Sequence, residues 1–300
     1  MDALTSILIS RAAVDKGDCT KETCSVKDSI YGYYPSEPVN IILVVIFAIS
    51  LIVHLFQGIK SRSWTFLVAL GLGTLAEAIG YVGRLLLRND PFSKGYIGIQ
   101  LVCLTVAPAF IAAGIYLTLK HLIIVYGAGF SRLPPKWYTR IFILCDIVSI
   151  IVQTAGAGMA SGGPSLSKAG NDVMMIGLVF QVVTLAIFGI MALDVWSRIS
   201  KYKGEFTQSA EAMRNSKRFK GLIASIMVAY STILIRCIYR TAEMAGGWSN
   251  PIMQDQISFI ILDGVMCVVA VLALNAFHPG FLFQQSYATV KAEGNVVQMA

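Results

Sequence analysis

Within Ile233–Gly247, a stretch otherwise apolar enough to cross a membrane, Arg236, Arg240 and Glu243 recur at i, i+4 and i+7. That spacing puts all three on one helical face. A charge near the centre of a bilayer costs about 2.5–3.5 kcal/mol on insertion scales, so such a face needs partners or water. The same spacing appears in EAIGYVGR, where Glu77, Tyr81 and Arg84 share a face, and Asp263 stands alone in a later apolar run. Carboxylates of this kind can meet an amine, and guanidinium groups can meet a phosphate or balance the acids. With Gln100, Gln153 and Tyr239, these residues form the expected binding face of a polar cavity, in which a ligand headgroup is held. The competing reading is a structural network in which Glu77, Asp263, Arg236 and Arg240 neutralise one another and lock the bundle.

A second polar group is expected from His54, Asp146 and Asn275, where a satisfied structural hydrogen bond is the simpler account. No two histidines share a helix at ligand spacing, so neither a metal nor another cofactor is expected. No G-x-x-x-x-G-K-[ST] loop occurs, so the chain does not hydrolyse ATP by that route, and it is read as a non-enzyme.

These residues must be positioned by membrane helices. Of 300 residues, 56% are hydrophobic and only 14% charged, where soluble globules carry about 25% charged. Apolar runs of spanning length fall near Val39–Gln57, Phe66–Leu87, Tyr96–Ile124, Ile141–Ala160, Val173–Trp196, Phe219–Gly246 and Ile257–Phe277. The fold expected is an all-α, polytopic bundle of seven transmembrane helices over 39–280, between a tail at 1–38 and another at 281–300.

Basic residues concentrate in the first, third and fifth connections, as with Lys60 and Arg62, then Arg132, Lys136 and Arg140, then the run from Arg198 to Lys220. The positive-inside rule then puts the amino terminus outside and the carboxyl terminus in the cytoplasm. The net charge of +7 is thereby a property of loops beside anionic lipid, and no nucleic-acid partner is expected. Trp64, Trp137, Trp196 and Trp248 all fall at predicted helix ends, as an interfacial belt requires. Cys19 and Cys24 in the outer tail are a candidate disulfide, while Cys103, Cys145, Cys237 and Cys267 lie inside helices as packing residues. Pro108, in mid-span of the third helix and followed by Gly114, predicts a kink.

Depth can be counted at about 1.5 Å per residue across a core of about 30 Å. Glu77 is then about 18 Å from the start of its helix, Arg236 about 22 Å from the start of its own, and Asp263 about 10 Å in from the opposite surface. The three counts meet at one level in the outer half.

The motifs E-x-x-GY-x-x-R (Glu77–Arg84), AP-x-F-x-AA-x-x-Y (Ala107–Tyr116), D-x-x-S-x-x-x-Q-x-x-G-x-G (Asp146–Gly158), GL-x-x-Q (Gly177–Gln181) and IR-x-x-YR-x-x-E (Ile235–Glu243) occur in that order. With YYPS and Asn40 before the first helix, and Asp263 and HPG after the last motif, the chain resembles the fungal lipid-translocating exporters. That group includes the aminocholesterol-resistance and sphingoid long-chain-base transporters. The resemblance implies a seven-helix protein of a fungal plasma membrane that moves a lipid-like amphiphile, with roles in stress and drug resistance. The family pattern has Glu and Tyr where Gln256 and Ile260 stand here, which removes an acid from the outer mouth. The alternative function is a seven-helix receptor or membrane-stress sensor for a lipid-like ligand. Neither reading names the lipid or the oligomeric state.

Overall fold

The computed structural model describes residues 21, 23–161, 164–202, 211, 216–247 and 250–281. Seven helices in it are long and apolar enough to span a membrane. They are α1 (Glu37–Lys60), α2 (Trp64–Asn89), α3 (Lys94–Tyr126), α4 (Pro135–Ser161), α5 (Pro164–Lys201), α6 (Lys217–Ala245) and a composite α7. The last is built from Gln256–Phe259, a π segment Ile260–Val265 and Met266–Ala276. No strand occurs among the described residues. Parts of both tails, together with Cys19 and Trp248, lie outside the described residues; Cys24 is a disulfide-bonded half-cystine.

Successive helices pack side by side, and α7 returns to α1, so the seven close a ring in which α3 is the innermost member. α3 touches α2, α4, α5 and α6. Its sequence explains the position: it is apolar on every side rather than on one stripe, as a central helix must be. The ring helices keep large apolar side chains outward, among them Ile52, Ile190 and Leu193, which in a bilayer face lipid. Trp64, Trp137 and Trp196 are exposed at one end of the bundle, the end that also carries Lys60, Arg140 and Arg198. We call this the basic end and its opposite the tail end.

Close approach of α2 to α3 depends on missing side chains. A Cβ on Gly73 would sit 2.9 Å from Ile111 Cγ1, and one on Gly80 would sit 2.5 Å from Leu104 Cδ2. Gly73 and Gly80 are seven residues apart and so lie on one face, which brings the two backbones together without a polar contact. Gly80→Val should therefore cost about 1–3 kcal/mol by overpacking, whereas Gly98→Ala, with nothing within 4 Å of its Cβ position, should leave the thermal midpoint in detergent unchanged.

The first five helices exceed their apolar runs at both ends. The clearest case is α5, expected from Val173 after a Gly/Ser/Pro loop, which starts at Pro164 and runs 38 residues. Proline is suited to a first helical turn, where its missing N–H has no partner to lose. Hydropathy registers only the part of a helix that lies in lipid. α3 continues through Pro108 without a break.

Candidate functional site

Arg236 is at the centre. Its side chain is 1% exposed, with Nε 3.0 Å from Asp263 Oδ1 and Nη2 3.7 Å from Glu77 Oε1, both carboxylates being fully buried. Nη2 also donates to the backbone carbonyl of Leu104. That carbonyl is available for a reason visible in the sequence. Leu104 precedes Pro108 by four residues, and proline has no N–H to return to it. Arg236 of α6 thus takes the acceptor that the proline of α3 leaves open. Asp263 is held from the other side by Tyr81, whose hydroxyl donates to Oδ2 at 3.0 Å, while Phe47 of α1 stacks on the Tyr81 ring at 5.6 Å. Asp263 lies within the π segment of α7, a local widening that recurs at functional positions.

A second tier lies toward the tail end. Arg240 pairs with Glu243 one turn along the same helix. Asn250 closes that helix: its side-chain amide donates to the carbonyls of Glu243 and Gly247, and its Oδ1 accepts from the N–H groups of Ile252 and Met253 at 2.8 and 2.9 Å. Arg84 lies with its guanidinium carbon 3.8 Å from the centre of the Phe259 ring and 5.2 and 5.8 Å from those of Tyr31 and Tyr33, and it donates to the Tyr33 hydroxyl. Gln100 donates to the Tyr31 hydroxyl at 3.0 Å. Gly32, between the two tyrosines, has φ +70, a conformation open to glycine, and a Cβ there would meet the Gln254 side chain at 3.2 Å. Arg88 holds the segment's far end, bonding the Pro35 carbonyl at 3.2 Å and Glu37 at 3.2 Å. The chain before α1 is therefore a strap across the tail end of the cluster. Burial pushes the Tyr31 phenol up to about 12 against the opposing charge of Arg84, so it stays neutral.

Nine of the ten expected binding residues fall in these two tiers or directly against them, with Tyr239 buried and its hydroxyl unpartnered beside Glu243 and Arg240. Two expectations change. Arg240 does not face Glu77 and Asp263 in a square of four charges; Arg236 serves both acids and Arg240 takes Glu243. Gln153 does not enter the cluster: it bonds Ser149 and Gln181, and Ser149 bonds the Gly177 carbonyl, as a polar ladder between α4 and α5. Polarity and depth place such a residue along its helix but do not say which neighbour it faces.

The expected grouping of His54, Asp146 and Asn275 also divides. The His54 ring packs 6.0 Å from that of His278, and the Asn275 carbonyl accepts from Gln57 at 2.8 Å, between α1 and α7. Asp146 instead lines a cavity between α2, α3 and α4. Among the described residues no three of His, Cys, Asp and Glu come together as a metal would need.

Tyr31, Phe259 and Asn250 are not among the residues expected from sequence, and Tyr33 is expected only as part of the YYPS motif, not as a site residue. The available signals were the aromatic run before α1 and the Asn-Pro pair after α6. The Glu77 carboxylate is met by the Cys267 thiol as well as by Arg236. Several other buried atoms of the cluster have no hydrogen-bond partner in the protein: Glu243 Oε1, Arg84 Nη1, Gln100 Oε1 and the Tyr239 hydroxyl.

Among known proteins, a family model described as RTA1 like protein matches residues 70–286. The sphingoid long-chain base transporter RSB1 of Saccharomyces cerevisiae (strain ATCC 204508 / S288c) is 34% identical over 295 residues, covering 88% of this chain and 77% of that protein. Protoporphyrin uptake protein 1 of the same strain is 28% identical over 220 residues, covering 73% of this chain and 69% of that one. The probable lipid transporter atnI of Emericella nidulans is 24% identical over 263 residues, with coverages of 84% and 68%. No solved structure matches.

Proposed function

We propose that this chain, which belongs to the RTA1-like protein family, moves amphipathic lipid-like molecules across the bilayer without an ATPase of its own. The observation that carries the reading is the unfilled hydrogen-bonding capacity of Glu243, Arg84, Gln100 and Tyr239 around a buried ion pair. A purely structural lock would leave few such atoms, because buried polar groups without partners are rare and costly. A headgroup that entered between the tiers would satisfy them. An amine would meet Glu77, Glu243 or Asp263; a phosphate would meet Arg84, Arg236 or Arg240. The apolar tail would stay in lipid or between helices.

The names of the relatives, a sphingoid long-chain base transporter and a probable lipid transporter, support this substrate class. A sphingoid base or related lipid in a fungal plasma membrane, with the amino-terminal tail outside, is the form of the reading we adopt. α3 is the moving part in this scheme. Its Leu104 carbonyl is tied to Arg236 instead of to its own helix, so a ligand that draws Arg236 away also releases α3 at its weakest turn.

The test is reconstitution in liposomes with labelled sphingoid base and labelled phospholipid. Wild type should move at least one of them faster than protein-free vesicles, and Glu77→Gln and Arg236→Gln should each reduce that rate about tenfold or more, as expected when charged hydrogen bonds worth about 1.5–3 kcal/mol are lost. Equal rates in empty vesicles and in all three proteins would end the transport reading. Ligand-dependent recruitment of a soluble partner without flux would replace it with a receptor.

A further inference from the structure

At the basic end, away from the ionic cluster, a cavity of about 780 Å³ opens between α2, α3 and α4. This lies within the range of about 300–1,000 Å³ typical of pockets for small ligands. Its chemistry is ordered along one face of α4, where Lys136, Thr139 and Arg140 stand at the mouth and Ile143, Ile147 and Ile150 continue the wall inward. Lys120 of α3 adds a third cation at the mouth. None of the three cations has an ion-pair partner among the described residues. Arg132 and Arg198, by contrast, share Asp194 at 2.9 and 3.0 Å. α2 begins at the same mouth with Trp64 and Thr65, and the hydroxyl of its N-cap Ser63 bonds Ser61 instead of capping the helix, so amide N–H groups there add to the positive field.

Two polar groups with hydrogen-bonding capacity to spare line the cavity. The Thr139 hydroxyl is buried without a partner just inside the mouth. Deeper, Asp146 is 4% exposed; Tyr116 of α3 bonds its carboxylate, and its Oδ2 has no hydrogen-bond partner. Below and between these groups the walls are apolar, with Val68, Ala109 and Ala113 facing the isoleucines of α4.

We propose that this cavity is a binding site for a single-chain amphiphile bearing a phosphate with a hydroxyl or amine next to it. The phosphate lies among Lys120, Lys136 and Arg140 and accepts from Thr139, charge complementarity that a neutral lipid cannot match. Six residues of helix, about 9 Å, separate Arg140 from Asp146, so the carboxylate faces the ligand's hydrogen-bond donor and stays clear of its phosphate. The chain runs along the isoleucine wall. The site goes beyond the proposed transport and does not depend on it: binding with no flux supports it, and flux with no binding here removes it.

The experiment is fluorescence binding to the full chain in detergent micelles. The probes are lysophosphatidic acid with a labelled acyl chain and the monoacylglycerol with the same chain. Wild type should bind the phosphate probe at least tenfold more tightly. Lys136→Gln with Arg140→Gln, both exposed positions and so tolerant of change, should erase that preference. Ile147→Trp, which fills the wall from a half-exposed position, should weaken binding of both probes. Millimolar inorganic phosphate should compete poorly. Equal binding of the two probes to wild type, full displacement by inorganic phosphate, or loss of binding in the charge variant with none in Ile147→Trp would each overturn the proposal, the last by making the contact one of surface charge alone.

Discussion

Replacing Arg236 with Met should lower the stability of the purified protein by about 3–5 kcal/mol, the range for removing one partner of a buried ion pair. Glu77 and Asp263 have fully buried side chains, and Arg236 is the cation in ion-pair contact with either. Its loss leaves two carboxylates in a low-dielectric interior with no counter-charge. It also leaves the Leu104 carbonyl without a donor, since Pro108 cannot supply one. Adding Glu77→Gln and Asp263→Asn to Arg236→Met should recover more than half of the loss, because the penalty is that of unpaired charge rather than of a missing contact. Thermal unfolding in detergent reads both outcomes. A wild-type midpoint for Arg236→Met alone, or no recovery in the triple variant, would mean that the ion pair does not hold α2, α6 and α7 together.

How far the cluster could be read from sequence follows from the kinds of signal a membrane chain carries. Charge inside an apolar run is a strong signal, and helical rise converts position into depth. Those two signals are enough to set Arg236, Glu77 and Asp263 at one level. The same arithmetic gives no azimuth: it does not show that Gln153 turns toward Gln181 on α5. Nor does it show that Arg240 chooses Glu243 over the acids of other helices. The bond from Arg236 to Leu104 spans 132 residues and depends on a proline whose sequence signal was only a kink. The π segment around Asp263 leaves no mark in composition, because it shifts hydrogen bonds and not side-chain types. The strap is hidden for a different reason. Tyr31 and Tyr33 sit in a stretch without periodicity, and their partners Gln100 and Arg84 are 69 and 51 residues away.

That strap leads to the second large effect. The double variant Tyr31→Ala, Tyr33→Ala should raise the rate at which an impermeant thiol reagent, added at the tail end, modifies Cys237 or Cys267 by about tenfold or more. Both thiols are buried, and Arg236 acts on both from within the cluster. Reaching them from the tail end requires the strap to lift. In the native protein that motion breaks the hydrogen bond from Arg84 to the Tyr33 hydroxyl, worth about 1.5–3 kcal/mol for a charged donor. It also separates Arg84 from two aromatic faces, at about 0.5–1 kcal/mol each where exposed. Removing those ties shifts the closed-to-open equilibrium by about 3 kcal/mol, or about a hundredfold. The observed gain should be smaller, because Phe259 still covers Arg84 at 3.8 Å and Arg88 still holds Pro35 and Glu37. Serine at Cys103 and Cys145, which are partly exposed, keeps the readout on the two buried thiols. A rate unchanged from wild type would mean that the strap does not control entry and that the cluster opens elsewhere, between helices. A rise together with faster lipid movement in vesicles would make the strap a gate on the same path that the headgroup takes.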